Sequence, residues 1–229
     1  MKLPAGSTVD EARQYALDTF NVGDSWRLFK IMSEFVDGFD TLSTVNRPAV
    51  SIYGSARTKP DDKYYKFALT VSRKLADAGY AIMTGGGPGI MEAANKGASE
   101  SGIEGVSIGL NINLPLEQAL NPFVDVQMKF KYFFVRKVML IKYAMAFVCM
   151  PGGFGTLDEL FEALTLIQTR RIKGFPIILA GSEFWGGGVD WIKESFIKQG
   201  TINKDDLEIF KILDDPDDIV NYIKRRVIL

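Results

Sequence analysis

Residues 150–164 read MPGGFGTLDELFEAL. Gly152, Gly153 and Gly155 allow backbone shapes that a Cβ resists. The residues after them have helical periodicity, so the free N–H groups of a helix N-terminus adjoin the glycines. Such a turn is an anion cradle, and Asp158, Glu159 and Glu162 set carboxylates close behind it. Counted from Thr156 at about 100° per residue, Leu157, Leu160, Phe161 and Leu164 share the face expected to meet the core. Glu159 falls roughly opposite, about 60° from Thr156. There the two address one ligand, or Glu159 is simply solvated and favoured by the helix dipole. Ala163 and Leu166 flank that outer face and give it reason to meet another surface.

Four further stretches carry chemistry-bearing residues. In TGGGPGIMEAANKGA (residues 84–98), Pro88 suits a first helical turn and Glu92 lies in or near that turn. Gly85 and Gly87 fit a dinucleotide fingerprint, but its third glycine position holds Ile90, and no Gly-Lys-Ser/Thr follows. The segment, with Gly86, Gly87 and Glu92, is a ligand-binding turn or a plain tight turn. In KYFFVRKVMLIKYA (residues 131–144), Arg136 has Tyr132, Phe133, Met139 and Leu140 as helical neighbours and no acid. Its partner must come from elsewhere, either a carboxylate of the fold or an anionic ligand. Glu117, in NLPLEQALNPF, lines a site or is solvated. FWGGGVDWIKE reads as a loop leading into a helix from about Val189.

Composition narrows the chemistry. The 229 residues include no histidine, which excludes Ser-His and Cys-His catalysis and His-ligated zinc. Acid–base work falls to Asp, Glu, Lys, Tyr or Cys. The single cysteine, Cys149, permits no internal disulfide; without an N-terminal signal pattern, the expected location is cytoplasmic. With 27 basic against 28 acidic residues, no global charge draws the chain to a nucleic-acid polymer or a membrane surface. Apolar runs are too short for a membrane span.

The elements that must position these residues begin with an N-terminal helical extension, residues 1–47. Within it, SWRLFKIMSEFVDGFDTL predicts an amphipathic packing helix with Trp26, Phe29, Met32, Phe35, Val36 and Phe39 on its apolar stripe. From residue 48 to 229, β-rich runs alternate with helices. Strands are expected at AVSIY, AIMT, GVSIGLNI, FVDVQ, AFVCM, FPIILA and EIFKIL. The pattern predicts an α/β domain, a doubly wound parallel sheet with helices on both faces. Ligands bind such sheets beyond the carboxyl ends of the strands. The glycine turns at Gly54-Ser55, Gly85-Gly86-Gly87 and Gly152-Gly153-Phe154-Gly155 would share that edge.

On these residues the chain resembles the Lonely Guy (LOG) family. PGGFGTLDE matches its PGGxGTxxE signature, GGGPGIMEAA its companion glycine motif and VRKVM its Arg-Lys helix, with agreeing order from about residue 48 to residue 199. The resemblance implies a Rossmann-like fold and hydrolysis of the base–ribose bond of a nucleoside 5′-monophosphate, as in cytokinin activation. It implies no metal or organic cofactor, and a homodimer with the site at the subunit interface. Carried over, Arg136 and Glu159 are the catalytic pair, and Gly152, Gly153, Gly155 and Thr156 the phosphate-binding turn. Lys137, Glu117 and Thr165 match further substrate contacts, and Gly54 and Ser55 the first glycine turn. Asp158 stands where the family has its usual second acid. Short members lack the N-terminal extension, which leaves open an assembly larger than a dimer. The rival reading is a non-catalytic nucleotide or molybdenum-cofactor carrier, whose glycine turns look similar. Pyridoxal-phosphate decarboxylation would need a Schiff-base lysine in a recognisable site, and none is legible.

Overall fold

A computed structural model describes residues 24–113 and 120–227 of the chain. Glu117 and the first 23 residues lie outside the described residues. Seven parallel strands form one sheet: β1 (Ala49–Tyr53), β2 (Ala81–Thr84), β3 (Ser107–Ile112), β4 (Val126–Phe130), β5 (Ala144–Cys149), β6 (Ile177–Ala180) and β7 (Phe210–Leu213). Their order is β4-β3-β2-β1-β5-β6-β7. The chain therefore winds outward from β1 to β4, returns to pair β5 with β1, and winds outward again. In register, Tyr53 stands opposite Cys149. The strand order reverses between β1 and β5, and a crevice opens beyond their carboxyl ends.

The inner strands are buried on both faces, which is why their sequences are apolar runs rather than alternations. On β1, Val50 and Ile52 face a core layer shared with α2 (Lys63–Asp77), α3 (Ile90–Ser99) and α7 (Pro216–Lys224). Ala49 and Tyr53 face the other layer, built with α1 (Asp24–Ser43), α4 (Phe133–Lys142), α5 (Phe154–Gln168) and α6 (Ser182–Trp191). The doubly wound α/β expectation holds in full. No helix among the described residues is long and apolar enough to cross a membrane.

Three local expectations need correction. The strand expected at FVDVQ runs instead as β4, Val126–Phe130, set by its ladder with Ile108 through Ile112. Gly186, Gly187 and Gly188 do not precede a helix; they lie inside α6. Trp185 and Val189, both buried, anchor that helix, and the Asp214 carboxylate accepts the Ser182 N–H (2.6 Å) at its start. Tertiary anchoring outweighs the helix penalty of the glycines, about 1 kcal/mol each. Finally, α1 forms as expected but presents a different face. Ile31, Phe35 and Leu42 pack into the core layer, and Met139 of α4 sits against Gly38 where a Cβ would clash at 2.8 Å. Glu34 accepts the N–H groups of Lys131 (2.9 Å) and Tyr132 (3.2 Å), which ties α1 to the start of α4. Trp26, Phe29, Met32 and Val36 of the expected stripe stay exposed, Trp26 by 71%.

Candidate active site

Two turns frame the crevice. Beyond β1 the chain turns at Gly54-Ser55, and beyond β5 at Pro151-Gly152-Gly153. The Ser55 N–H donates to the Pro151 carbonyl (3.0 Å), and the Ile90 N–H donates to the Ser55 carbonyl (3.0 Å). Both turns and the start of α3 are thereby held together. The glycines have distinct reasons. A Cβ on Gly54 would meet Ile90 Cγ2 at 2.5 Å, and one on Gly152 would meet Thr156 Oγ1 at 2.1 Å. Those two permit close packing. Gly153 and Gly155 have nothing within 4 Å of a built Cβ and border open space. Gly153 begins α5, and no side chain caps that helix start. First-turn N–H groups are left for a ligand.

The cleft beside this turn has a volume of about 590 Å³, within the usual range for a small-molecule site. Gly54, Ser55, Gly153, Gly155, Thr156, Arg136 and Glu159 all line it. Arg136 comes from α4 and Glu159 from α5. Their closest approach, Nη2 to Oε1, is 3.8 Å, and their side chains are 14% and 7% exposed. The partner of Arg136 left open by sequence is thus a carboxylate of the fold. The contact is longer than a hydrogen bond, so it does not exhaust either group. Arg136 Nε and Glu159 Oε2 are buried with no hydrogen-bond partner. The guanidinium lies 5.2 Å from the centre of the Phe133 ring.

Burial governs the electrostatics. Desolvation pushes the Glu159 carboxyl up to about 7, against the pull of Arg136 and Lys137 and with a smaller push from Asp158 and Glu162. Desolvation also lowers Arg136 from its ordinary value, with Glu159 opposing. Glu159 therefore changes charge near neutrality beside a fixed cation.

The helical-wheel count puts Glu159 on the outer face of its helix, and the structure corrects this. The buried side of α5 is Thr156, Glu159, Leu160 and Ala163, whereas Leu157, Phe161 and Leu164 are only half-buried. Ala163 is fully buried on that side, and the first turn borders the cleft through Gly155, Thr156 and Glu159. Leu160 is in the core layer and Leu157 and Leu164 pack against it as expected, so the inward side of α5 is wider than the apolar count gives and takes in Thr156, Glu159 and Ala163. The outer side carries Phe154, 92% exposed, above a shallow groove with Leu157, Phe161 and Leu166. Thr165 lines that groove rather than the cleft, and its hydroxyl donates to the Phe161 carbonyl (2.7 Å).

Other candidates sit beside the cleft. Lys137 is ion-paired with Asp158 (3.0 Å) and Glu162, locking α4 to α5. Glu92 accepts the Tyr65 hydroxyl (2.9 Å). Gly86 and Gly87 are buried: the Gly86 N–H donates to Thr84 Oγ1 (2.9 Å), and both carbonyls accept from Asn121. Gly85 is the member of that turn that lines the cleft, where a Cβ would crowd Met91 Sδ at 2.8 Å. Sequence reading also missed Tyr53, Arg57, Met91 and Phe133 as lining residues. A strand-terminal Tyr directly before the first glycine turn was the available signal for Tyr53.

A family model described as "Possible lysine decarboxylase" matches residues 91–223. An uncharacterized protein of Archaeoglobus fulgidus is 29% identical over 124 residues, 53% of this chain and 78% of that one. The "Cytokinin riboside 5′-monophosphate phosphoribohydrolase LOG" of Oryza sativa subsp. japonica is 28% identical over 116 residues, 50% of this chain and 47% of that protein. The alignment spans about half the rice protein's length. Among solved structures, a molybdenum cofactor binding protein of Rippkaea orientalis aligns with a TM-score of 0.58 at 22% identity, covering 80% of this chain and 98% of that one. The molybdenum cofactor carrier protein of Chlamydomonas reinhardtii aligns with a TM-score of 0.57 at 20% identity, covering 79% and 98%. At those identities the likeness is one of fold.

Proposed function

The chain belongs to the Lonely Guy (LOG) family, the family also described as possible lysine decarboxylases, and from that footing we propose that it hydrolyses the N-glycosidic bond of a purine or cytokinin nucleoside 5′-monophosphate. The products are the free base and ribose 5-phosphate. One observation carries the reading: a buried carboxylate with a spare oxygen, Glu159, lies beside Arg136, one turn inside a helix whose start is uncapped. The first-turn N–H groups from Gly153 to Thr156 grip the 5′-phosphate, and that binding energy sets the ribose over Glu159.

Water adds through oxygen to C1′ as the C1′–N bond breaks; the bonding pair leaves with the base, which takes up a proton. Positive charge grows on the ribose during this step, as in glycoside hydrolysis. Ionised Glu159 stabilises that charge and orients the water. Arg136 remains charged and cannot donate a proton readily. It favours the ionised form of Glu159 against the larger effect of burial, and it positions the ligand. Since burial raises Glu159 to about 7, kcat/KM for AMP should climb from pH 5 and level off above about 8.

Lysine decarboxylation fits poorly, because among the described residues none that lines the cleft is a lysine able to form a Schiff base, and Lys137 is bound to two acids. The same cleft on a carrier would bind nucleotide without releasing base. A second copy of the chain is proposed against the α4–α5 side, where Phe133 and Phe154 are exposed at the cleft. Incubation with AMP, prenylated AMP and other nucleoside monophosphates, with products separated chromatographically, tests the reading. Free base with a panel member supports it; tight binding with no free base favours the carrier.

A further inference from the structure

Among the described residues, three buried side-chain polar atoms have no hydrogen-bond partner: Tyr53 Oη, Arg136 Nε and Glu159 Oε2. All three residues line the same cleft. An unmet buried polar group destabilises the fold, so three at one place call for a ligand that meets them. Tyr53 ends β1 and shares a strand face with Ser51, whose hydroxyl donates to the Leu140 carbonyl (3.0 Å) and acts on the phenol without reaching hydrogen-bond geometry. Its ring is fixed edge-on against Phe147, centroids 4.9 Å apart, and Phe147 in turn meets Phe175. The ring is packed away from water, with Tyr53 only 6% exposed. Tyr53 and Arg136 both feel the Glu159 charge, so the three groups form one electrostatic set.

The set has a definite chemistry. Tyr53 offers an O–H, Arg136 an N–H, and ionised Glu159 a lone pair. A hydroxyl group carries the matching count, one hydrogen to donate to a carboxylate and two lone pairs to accept from an O–H and an N–H. We propose that Tyr53 is a specificity residue that reads the 2′-hydroxyl of a ribonucleotide. This rests on the phosphoribohydrolase reading for the ligand's identity. The 2′ position is chosen because it is the sugar hydroxyl next to C1′, the atom that Glu159 must serve.

The test compares Tyr53→Phe with the parent on AMP, 2′-deoxy-AMP and 3′-deoxy-AMP. Each variant-to-parent ratio is taken on one substrate, which cancels the differing intrinsic lability of the sugars. Tyr53→Phe should lower kcat/KM for AMP and 3′-deoxy-AMP by about tenfold or more and leave 2′-deoxy-AMP within about twofold. The phenylalanine keeps the ring contact with Phe147 and removes an unmet hydroxyl, so the melting temperature of the free protein should hold or rise. Equal losses on all three substrates, or a lowered melting temperature with no change in preference, would overturn the assignment. Sparing of 3′-deoxy-AMP instead would overturn its placement at 2′. If no substrate yields free base, the hydrolase reading fails by itself. The same ratios are then taken from calorimetric dissociation constants, where selective weakening of AMP still supports Tyr53 and uniform binding overturns it.

Discussion

Two buried polar clusters flank neighbouring glycine turns, and they are built to opposite ends. Beside the turn after β2, Thr84 Oγ1 donates to Asn95 Oδ1 (2.6 Å), and Asn95 Nδ2 donates to Ser107 Oγ (2.9 Å) and the Ile108 carbonyl (3.2 Å). Asn121 Nδ2 reaches Asn95 Oδ1 and the Gly87 carbonyl (both 3.0 Å), and Ser107 Oγ donates to the Phe123 carbonyl (2.6 Å). Each of these side chains is spoken for. Beside the turn after β5, Tyr53, Arg136 and Glu159 are almost as dry and keep unmet atoms. A satisfied network fixes a backbone, whereas an unsatisfied one holds capacity for something not yet bound. Burial alone does not separate the two, and the hydrogen-bond account does.

Mutation should break the pair apart in opposite directions. Glu159→Gln should lower kcat on AMP about a thousandfold or more while circular dichroism and solubility stay unchanged. Single-turnover release of adenine checks it; near-normal release would remove Glu159 from the chemistry. Asn95→Ala should act on stability. It takes one partner each from Thr84, Ser107, Asn121 and the Ile108 carbonyl, and should cost about 3 kcal/mol in urea unfolding. Its kcat, measured well below the melting transition, should stay within a few-fold of the parent.

The contrast also carries a pH signature. Glu159 in the folded chain holds its proton up to about 7, against an ordinary value of 4.5. Between those values the native state binds more protons than the unfolded state, so stability falls as pH rises. The contribution is fully present below about 4.5 and lost by about 7, a change of about 3 kcal/mol at most. Glu159→Gln should flatten this slope and make the variant the more stable protein at pH 8. A parental profile with no decline across that window would mean that Glu159 is ionised throughout.

Much of this is open to sequence reading because turn chemistry is local. Glycines at 54, 152, 153 and 155 locate the sheet edge and its turns without any contact being known, whereas Pro88, read as part of a first helical turn, lies two residues before the start of α3. Arg136 stands out because its helical neighbours offer no acid, and the fold supplies Glu159. What fails is the choice of helix face. On α1 the largest apolar residues read as inward, yet Gly38 marks the close-packed side; on α5 the leucines read correctly, but the count misses that Glu159 and Ala163 share the buried side. Small residues decide how near two elements approach, and an apolar count gives them no weight. Tyr53 escapes notice for a related reason: a strand aromatic reads as core, and only the missing partner of its hydroxyl distinguishes it.

The finest test of the contrast is Glu92, a site candidate by motif whose carboxylate is occupied by the Tyr65 hydroxyl, tying α3 to α2. Desolvation first, and then the hydrogen bond to Glu92, raise the Tyr65 phenol to about 12, as expected for a structural contact. Glutamine at 92 can still accept that hydroxyl. Glu92→Gln should therefore change kcat/KM on AMP by less than about twofold and stability by about 1 kcal/mol or less. A tenfold loss of kcat/KM with unchanged melting would place Glu92 among the ligand-binding groups. A met hydrogen bond would then no longer suffice to assign a buried acid to the scaffold.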